Sequence, residues 1–197
     1  FIFKGDKIIR QNVVVYASNR AVTFGVASTA EIAQAKVIPA LNEVDCSDIV
    51  GVSSRSKDRA EAFAKERNAG KGMTHEELLA SDVDAVYVPL PSGVRNAFMR
   101  SALEKGKHVY SEKPHSGTVK ELKEVLDVAI AKNLQWMDGT MWYHSTRTKQ
   151  MEERLKDMGP VVRVAASFTW GNGLGLDEAW REGGNGRVSH KGDTSCH

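Results

Sequence analysis

Between residues 21 and 138, short apolar runs alternate with longer amphipathic segments, and that alternation predicts an α/β fold on a doubly wound parallel sheet. Two observations carry the prediction. The strand-like runs are nearly continuous in apolar residues, as strands covered on both faces are. The segments between them have helical spacing, and right-handed crossovers then lay helices on both sides of the sheet. In such a Rossmann-type sheet ligands bind beyond the carboxyl ends of the strands, so the residues after each strand are where function is to be sought.

The elements follow in order. Residues 1–20 form an N-terminal extension with an apolar patch at Val13-Val14-Val15-Tyr16; Lys4, Asp6, Lys7 and Arg10 interrupt it too often for a signal peptide. A chain that begins with Phe1 fits processing or a fragment. Residues 21–26 read as a buried strand, and Glu31–Leu41 as a helix capped by Ser28 or Thr29. Residues 48–53 are a second strand. Lys57–Arg67 is a helix with Ala60, Phe63 and Ala64 on one face, and Glu76–Leu79 is a short one. The strand at 84–88 runs into Pro89-Leu90-Pro91. A helix at Val94–Glu104, a strand at 108–110, a helix at Val119–Ala131 and a strand at 135–137 complete the unit. Beyond Gly139 the pattern changes: Thr148–Met158 reads as a helix, and Val161–Trp170 alternates like a half-buried strand. The expected division is an extension at 1–20, an NAD(P)-binding domain at 21–140, and the start of an α/β substrate domain with an open sheet at 141–197.

Each strand end has its own chemistry. Gly25-Val-Ala27-Ser28-Thr29-Ala30 is a dinucleotide fingerprint with alanine at its second and third glycine positions. Gly25 permits a tight turn, Ala27 leaves room for a pyrophosphate, and Ala30 allows close helix–strand packing. The helix start that follows, with Ser28 and Thr29, offers backbone N–H groups to the phosphates. A structural turn of small residues is the alternative. After residue 53 the chain has no acid before Asp58, where a site preferring NAD usually carries one. Ser54 and Arg55 instead suit a ribose 2′-phosphate, and Lys57 adds charge, so NADP is the expected cofactor and NAD the alternative. A solvated helix-opening turn is the competing reading. Leu90 and Pro91 lie in a stiff loop that either rests against the nicotinamide ribose or merely stops the strand. Ser111-Glu112-Lys113-Pro114-His115 places a lysine where the nicotinamide should sit, able to stabilise an alkoxide or donate a proton; a surface lysine in a turn is the alternative.

Composition narrows the classes. Twenty-seven Lys and Arg against 25 Asp and Glu leave a net charge of +2, too little for a nucleic-acid field. No apolar run approaches the ~20 residues that span a bilayer. Two cysteines, Cys46 and Cys196, form no framework or zinc pattern, and a reducing, cytoplasmic location is expected. His144, His190 and His197 lack ligand-like spacing, so no metal is assigned.

Taken together these segments resemble the Gfo/Idh/MocA oxidoreductase family. The most specific mark is Glu112-Lys113-Pro114 after Gly106-Lys107-His108-Val109, supported by Val52–Ser56, Asp84–Pro91, Asp138–His144, Arg147-Thr148 and Ser167–Trp170. The likeness is strongest to the branch holding dimeric dihydrodiol dehydrogenases and glucose-fructose oxidoreductase. It implies a Rossmann domain, a second domain that covers a small-molecule substrate, and a homodimer in the full-length form. It also implies that Lys113 lies beside nicotinamide and substrate, with a Lys113–Pro114 bond that is often cis. Arg95 stands where many members carry histidine. Trp142 and Arg147 are expected to line the cleft between domains, or else to be a core aromatic and a solvated helix-start charge. Asn185-Gly186-Arg187-Val188 resembles a segment that in relatives precedes Gly-Asp-x-Gly-Trp-Tyr or Gly-x-His. On that alignment the chain stops short of the acid; on a second, Asp193–His197 lies on the Asp-x-Gly-x-His form with Ser195 in place of the glycine. The expected activity is hydride transfer between nicotinamide and a CH–OH or carbonyl carbon of a sugar, polyol or dihydrodiol. A non-catalytic NADP-binding module and an inactive fragment remain alternatives.

Overall fold

The computed structural model describes residues 2–4, 7–9, 20–114 and 117–167. Within the expected N-terminal extension, β1 (Ile2–Lys4) and β2 (Lys7–Ile9) pair antiparallel, apart from the main sheet.

The main sheet starts with β3 (Val22–Val26). The helix after it opens at Glu31, is π-helical over Ala33–Val37, and continues as α1 (Ile38–Asn42). Pro39 accounts for the wide turn. It has no N–H for the carbonyl four residues back and its ring crowds that carbonyl, so the Ile38 N–H reaches five residues back, to the Ala33 carbonyl. The expected cap at Ser28 or Thr29 is corrected. The first helical bond runs from the Gln34 N–H to the Ala30 carbonyl, while the Ala27 N–H is held by the Tyr87 carbonyl, so Ser28 and Thr29 fall in the turn between.

β4 (Ser47–Ser53) leads to α2 (Lys57–Arg67), whose cap Ser56 accepts from the Arg59 N–H at 3.3 Å. Then comes β5 (Lys71–Met73), a three-residue strand too short to show periodicity and absent from the sequence reading. It lies parallel to β4 with Gly51 opposite Lys71. Gly72 is required there: a Cβ would stand 2.2 Å from the Glu61 backbone nitrogen, so α2 presses directly on this strand. α3 (His75–Ala80) starts one residue before expected, behind a capping box in which Thr74 and Glu77 serve each other's backbone N–H groups.

β6 (Ala85–Val88), α4 (Ser92–Glu104), β7 (His108–Ser111), α5 (Val119–Ala131) and β8 (Trp136–Asp138) follow the predicted order. α4 starts two residues before the predicted Val94, because Pro91, with its fixed φ, serves as the residue before the helix. A 3₁₀ turn at Met141–His144 precedes α6 (Thr146–Lys156), capped by Ser145 and likewise shifted two residues forward.

Among the described residues, the strands β3 to β8 form one parallel sheet in the order β5-β4-β3-β6-β7-β8. The chain therefore winds outward from β3 in one direction and from β6 in the other, and the order reverses between these two strands. Alternate side chains serve opposite faces. Val86, Val88 and Val109 pack with Leu78, Phe98, Met99, Leu103, Val125 and Leu126 under α3, α4 and α5. Val26, Val52 and Tyr87 pack with Ala33, Ile38 and Ala64 under the first helix and α2.

The strand expected at Val161–Trp170 does not form over residues 161–167. That stretch has no regular structure and is exposed, Val162 by 98%. Alternation specifies a strand only where a neighbour can pair with it and a face can be buried. Phe168–Trp170, His115, the Asn185–Val188 and Asp193–His197 segments, Cys196, His190 and the Val13–Tyr16 patch lie outside the described residues. No helix among the described residues is long and apolar enough to cross a membrane.

Candidate active site

Parallel strands deliver their following turns to one edge, so the ends of β3, β4, β6, β7 and β8 face a common rim. The structure thus brings the sequence-predicted turns together, and it gives several of the residues definite partners.

Gly25 lies inside β3 rather than in a tight turn. Its missing Cβ leaves space for Leu78, whose Cδ1 lies 2.3 Å from where that carbon would be. Ala27 is fully buried in the core under α3 and α4, and Ser28, Thr29 and Ala30 are half-buried in the turn that leads into the helix. At the end of β4 the Ser54 N–H bonds to the Met73 carbonyl, and its hydroxyl oxygen accepts from the Ser56 N–H at 3.4 Å. Arg55 is exposed at this turn. Lys57, expected to add charge for the phosphate, is engaged elsewhere: its ammonium pairs with Glu77 at 2.7 Å.

Beneath the turn is a pair the sequence reading missed. The buried Ser53 hydroxyl and His75 Nδ1 lie 2.8 Å apart in a hydrogen bond. Burial pushes the His75 ring below the ordinary histidine range, and nearby Arg55 adds to that against the opposing Glu76.

The end of β7 is the most constrained part of the rim. The Lys113–Pro114 peptide bond is cis, as the resemblance implied. The Glu112 carboxylate accepts from the Tyr87 hydroxyl at 2.7 Å and from the Lys113 N–H at 3.3 Å. Tyr87 is fully buried; burial, then the neighbouring Glu112 charge, drives its phenol above the ordinary tyrosine range, so it stays a neutral donor. On the main-chain side Arg95, only 5% exposed, donates to the Glu112 carbonyl at 2.6 Å and to the Pro114 carbonyl. The same guanidinium bonds through Nε to the Leu90 carbonyl at 2.7 Å. Leu90 packs its side chain on the core, and Pro91 precedes α4. Both Tyr87 and Arg95 left a signal in the sequence. A tyrosine in an otherwise apolar buried strand needs a partner for its hydroxyl. Arg95 falls on the apolar stripe of α4 with Phe98, Met99 and Ala102, where a charge must be satisfied.

β8 closes the rim. The Gly139 N–H bonds to the Ser111 carbonyl at 2.7 Å, and a Cβ on Gly139 would stand 2.6 Å from that oxygen. The Asp138 carboxylate accepts from the Thr140 N–H at 2.7 Å. Trp142, 49% exposed, stacks edge-on with Tyr143, and Arg147 is exposed in the first turn of α6. Beside Glu112 a cavity of about 230 Å³ opens between the first helix, Tyr110 and Met141. A larger hollow of about 540 Å³ lies at edge strand β5, lined by Lys57, Glu61, Lys65 and Lys71. Of the residues the sequence pointed to it holds Lys57 alone, already paired with Glu77, and it is away from the switch between β3 and β6, so topology favours the rim.

Comparison with known proteins gives a consistent result. The chain is 33% identical over 157 residues to dTDP-3,4-didehydro-2,6-dideoxy-alpha-D-glucose 3-reductase of Actinomadura kijaniata, covering 78% of this chain and 47% of that protein. It is 32% identical to D-xylose 1-dehydrogenase (NADP(+)) 2 of Haloferax volcanii, over 79% of this chain and 48% of the relative. The crystal structure of KijD10, a 3-ketoreductase from Actinomadura kijaniata in complex with TDP-benzene and NADP, superposes with a TM-score of 0.65 at 33% identity, covering 70% of this chain and 44% of that one. The chain thus spans about half the length of the curated relatives it matches. Residues 22–140 match the Gfo/Idh/MocA family model, described as an oxidoreductase family with an NAD-binding Rossmann fold, and with the β5-to-β8 sheet and its Glu112-Lys113-Pro114 turn the chain belongs to that family.

Proposed function

We propose that this chain is the dinucleotide-binding part of an NADP-dependent oxidoreductase acting on the CH–OH or carbonyl group of a sugar or polyol. The observation that carries the reading is the Glu112-Lys113-Pro114 turn at the end of β7, one strand beyond the point where the sheet order reverses. The residues present fit the cofactor: small side chains and a helix start follow β3, and a serine and an exposed arginine rather than an acid follow β4. When bound, NADP supplies or accepts the hydride. The chain's own residues do the rest. Ser28, Thr29 and Ala30 form the bed for the pyrophosphate, with Gly25 and Ala27 packed beneath them, and Ser54 with Arg55 selects the 2′-phosphate. Leu90, Pro91 and Glu112 shape the wall on the nicotinamide side. Lys113 hydrogen-bonds the substrate oxygen and shares the proton that oxygen gains or loses. Trp142 and Arg147 border the cleft. The domain division is 1–20, 21–140 and 141–197, the last part opening a substrate domain. The assembled protein is a cytoplasmic homodimer.

The test is a titration of the purified chain with NADPH and with NADH, followed by quenching of tryptophan fluorescence. The expected result is saturable binding of both, with NADPH tighter by about tenfold or more. A folded chain that binds neither would overturn the reading, and a preference for NADH would overturn the roles of Ser54 and Arg55.

A further inference from the structure

We propose that Arg95 is a positioning residue that binds two separate segments, the loop after β6 and the turn after β7, into one wall for the nicotinamide half of the cofactor. The inference rests on the dinucleotide reading above and adds a residue to it.

Three observations support it. The guanidinium is almost wholly buried on α4, a helix otherwise packed through Phe98, Met99 and Leu103. Its donors reach three main-chain carbonyls in two segments: Leu90 on one side, Glu112 and Pro114 on the other. The Glu112 and Pro114 carbonyls flank Lys113, whose own N–H is held by the Glu112 carboxylate, itself fastened to Tyr87. The turn is therefore gripped from the side-chain side by Tyr87 and from the main-chain side by Arg95.

Geometry explains the choice of arginine. A planar fork with five donors can serve several carbonyls at once in fixed directions, whereas an ammonium is a point donor on a flexible stem. A neutral side chain would leave the carbonyls of Leu90, Glu112 and Pro114 without this donor. The loop and turn would then be free to separate. A shift of about 1 Å in a supporting group is enough to cost roughly 100-fold in a reaction that depends on alignment.

The experiment compares two ligands on the purified chain. NADP⁺ spans the whole rim; adenosine 2′,5′-bisphosphate occupies only the half served by Ser54 and Arg55. In Arg95→Met the affinity for NADP⁺ is expected to fall about tenfold, with that for adenosine 2′,5′-bisphosphate unchanged within about twofold. Arg95→Lys, which keeps the charge and one donor, is expected to recover part of the loss and guards against a Met variant that fails to fold. Equal weakening of both ligands would mean a general structural role, and no change in either would mean no role; each overturns the proposal. If the wild-type chain binds neither ligand, the dinucleotide reading itself falls, which is distinguishable because it needs no variant.

Discussion

At the scale of single residues, the rim is assembled from side chains whose polar atoms are already committed to the protein. Glu112 spends its carboxylate on Tyr87 and on the next backbone N–H, and Lys57 is paired with Glu77. Arg55 differs: it is exposed at the end of β4, next to a serine and with no acid before Asp58. Replacing Arg55 with alanine is therefore expected to weaken NADPH binding by about tenfold or more and to leave NADH within about twofold, because only the 2′-phosphate is lost as a partner. Equal effects on the two cofactors in the fluorescence titration would remove Arg55 from the phosphate site. Which residues follow each strand was readable from the sequence. Which of them are already bonded to one another was not, since Tyr87 and Glu112 are 25 positions apart and meet only because β6 and β7 are neighbours.

Packing between elements determines how closely the helices approach the sheet. Gly25 admits Leu78 of α3, Gly72 admits the backbone of α2, and Gly139 sits against the end of β7. Gly25→Ala is expected to destabilise the chain by about 1–3 kcal/mol, because its methyl meets a side chain that is itself fully buried. Leu78→Ala is expected to lose about 2–5 kcal/mol through the cavity it leaves. In the double variant the new methyl occupies part of that cavity, so urea unfolding should give a loss smaller than the sum. Simple additivity would show that Gly25 and Leu78 do not share the space. α5, with a strong apolar stripe, was legible to its end residues, and so was α2, whose Ala60, Phe63 and Ala64 share one face behind the Ser56 cap. The three-residue β5 was not, because what makes it a strand is pairing with β4 rather than any pattern of its own. The first helix was legible as a helix, but its π-helical turn shows how one proline redirects the hydrogen bonds around it.

For the whole molecule, two titrating groups at opposite edges of the sheet contribute to the response to acid. At the amino edge Asp84 accepts from Arg20 at 2.7 and 2.5 Å and from the Thr23 N–H and hydroxyl, both at 2.8 Å, tying the start of β3 to the residue before β6. The Arg20 hydrogen bond, helped by those from Thr23, holds its carboxyl well below the usual carboxylate range. At the carboxyl edge, burial holds His75 below its ordinary range. Both folded values lie below the unfolded ones, so both groups contribute stability at high pH and lose it as pH falls. His75 begins to lose its contribution below about pH 6.5 and Asp84 below about pH 3.9. The urea midpoint is expected to be level near neutrality and then to fall in two stages. His75→Gln should remove the first stage. Asp84→Asn should lower the neutral plateau and shrink the second, to which Glu76 and Glu77, also held below the usual carboxylate range by hydrogen bonds, contribute the rest. A midpoint that rose on acidification would contradict both assignments.

The sequence by itself determined the class of fold, the order of the main sheet's strands and helices apart from β5, and the places where chemistry could be found. Those follow from local periodicity and from the rule that parallel strands deliver their turns to one edge. It also carried the Glu112-Lys113-Pro114 signature and the absence of an acid after β4. Only the tertiary structure decided that Arg95 spans two loops, that Lys57 is occupied by Glu77, that Gly25 serves packing, and that residues 161–167 do not form the expected strand. The physical reason is common to all four. A hydrogen bond, an ion pair, a packing contact or a strand pairing needs a partner at a fixed distance in space, and spacing along the chain does not specify which distant residue will be there.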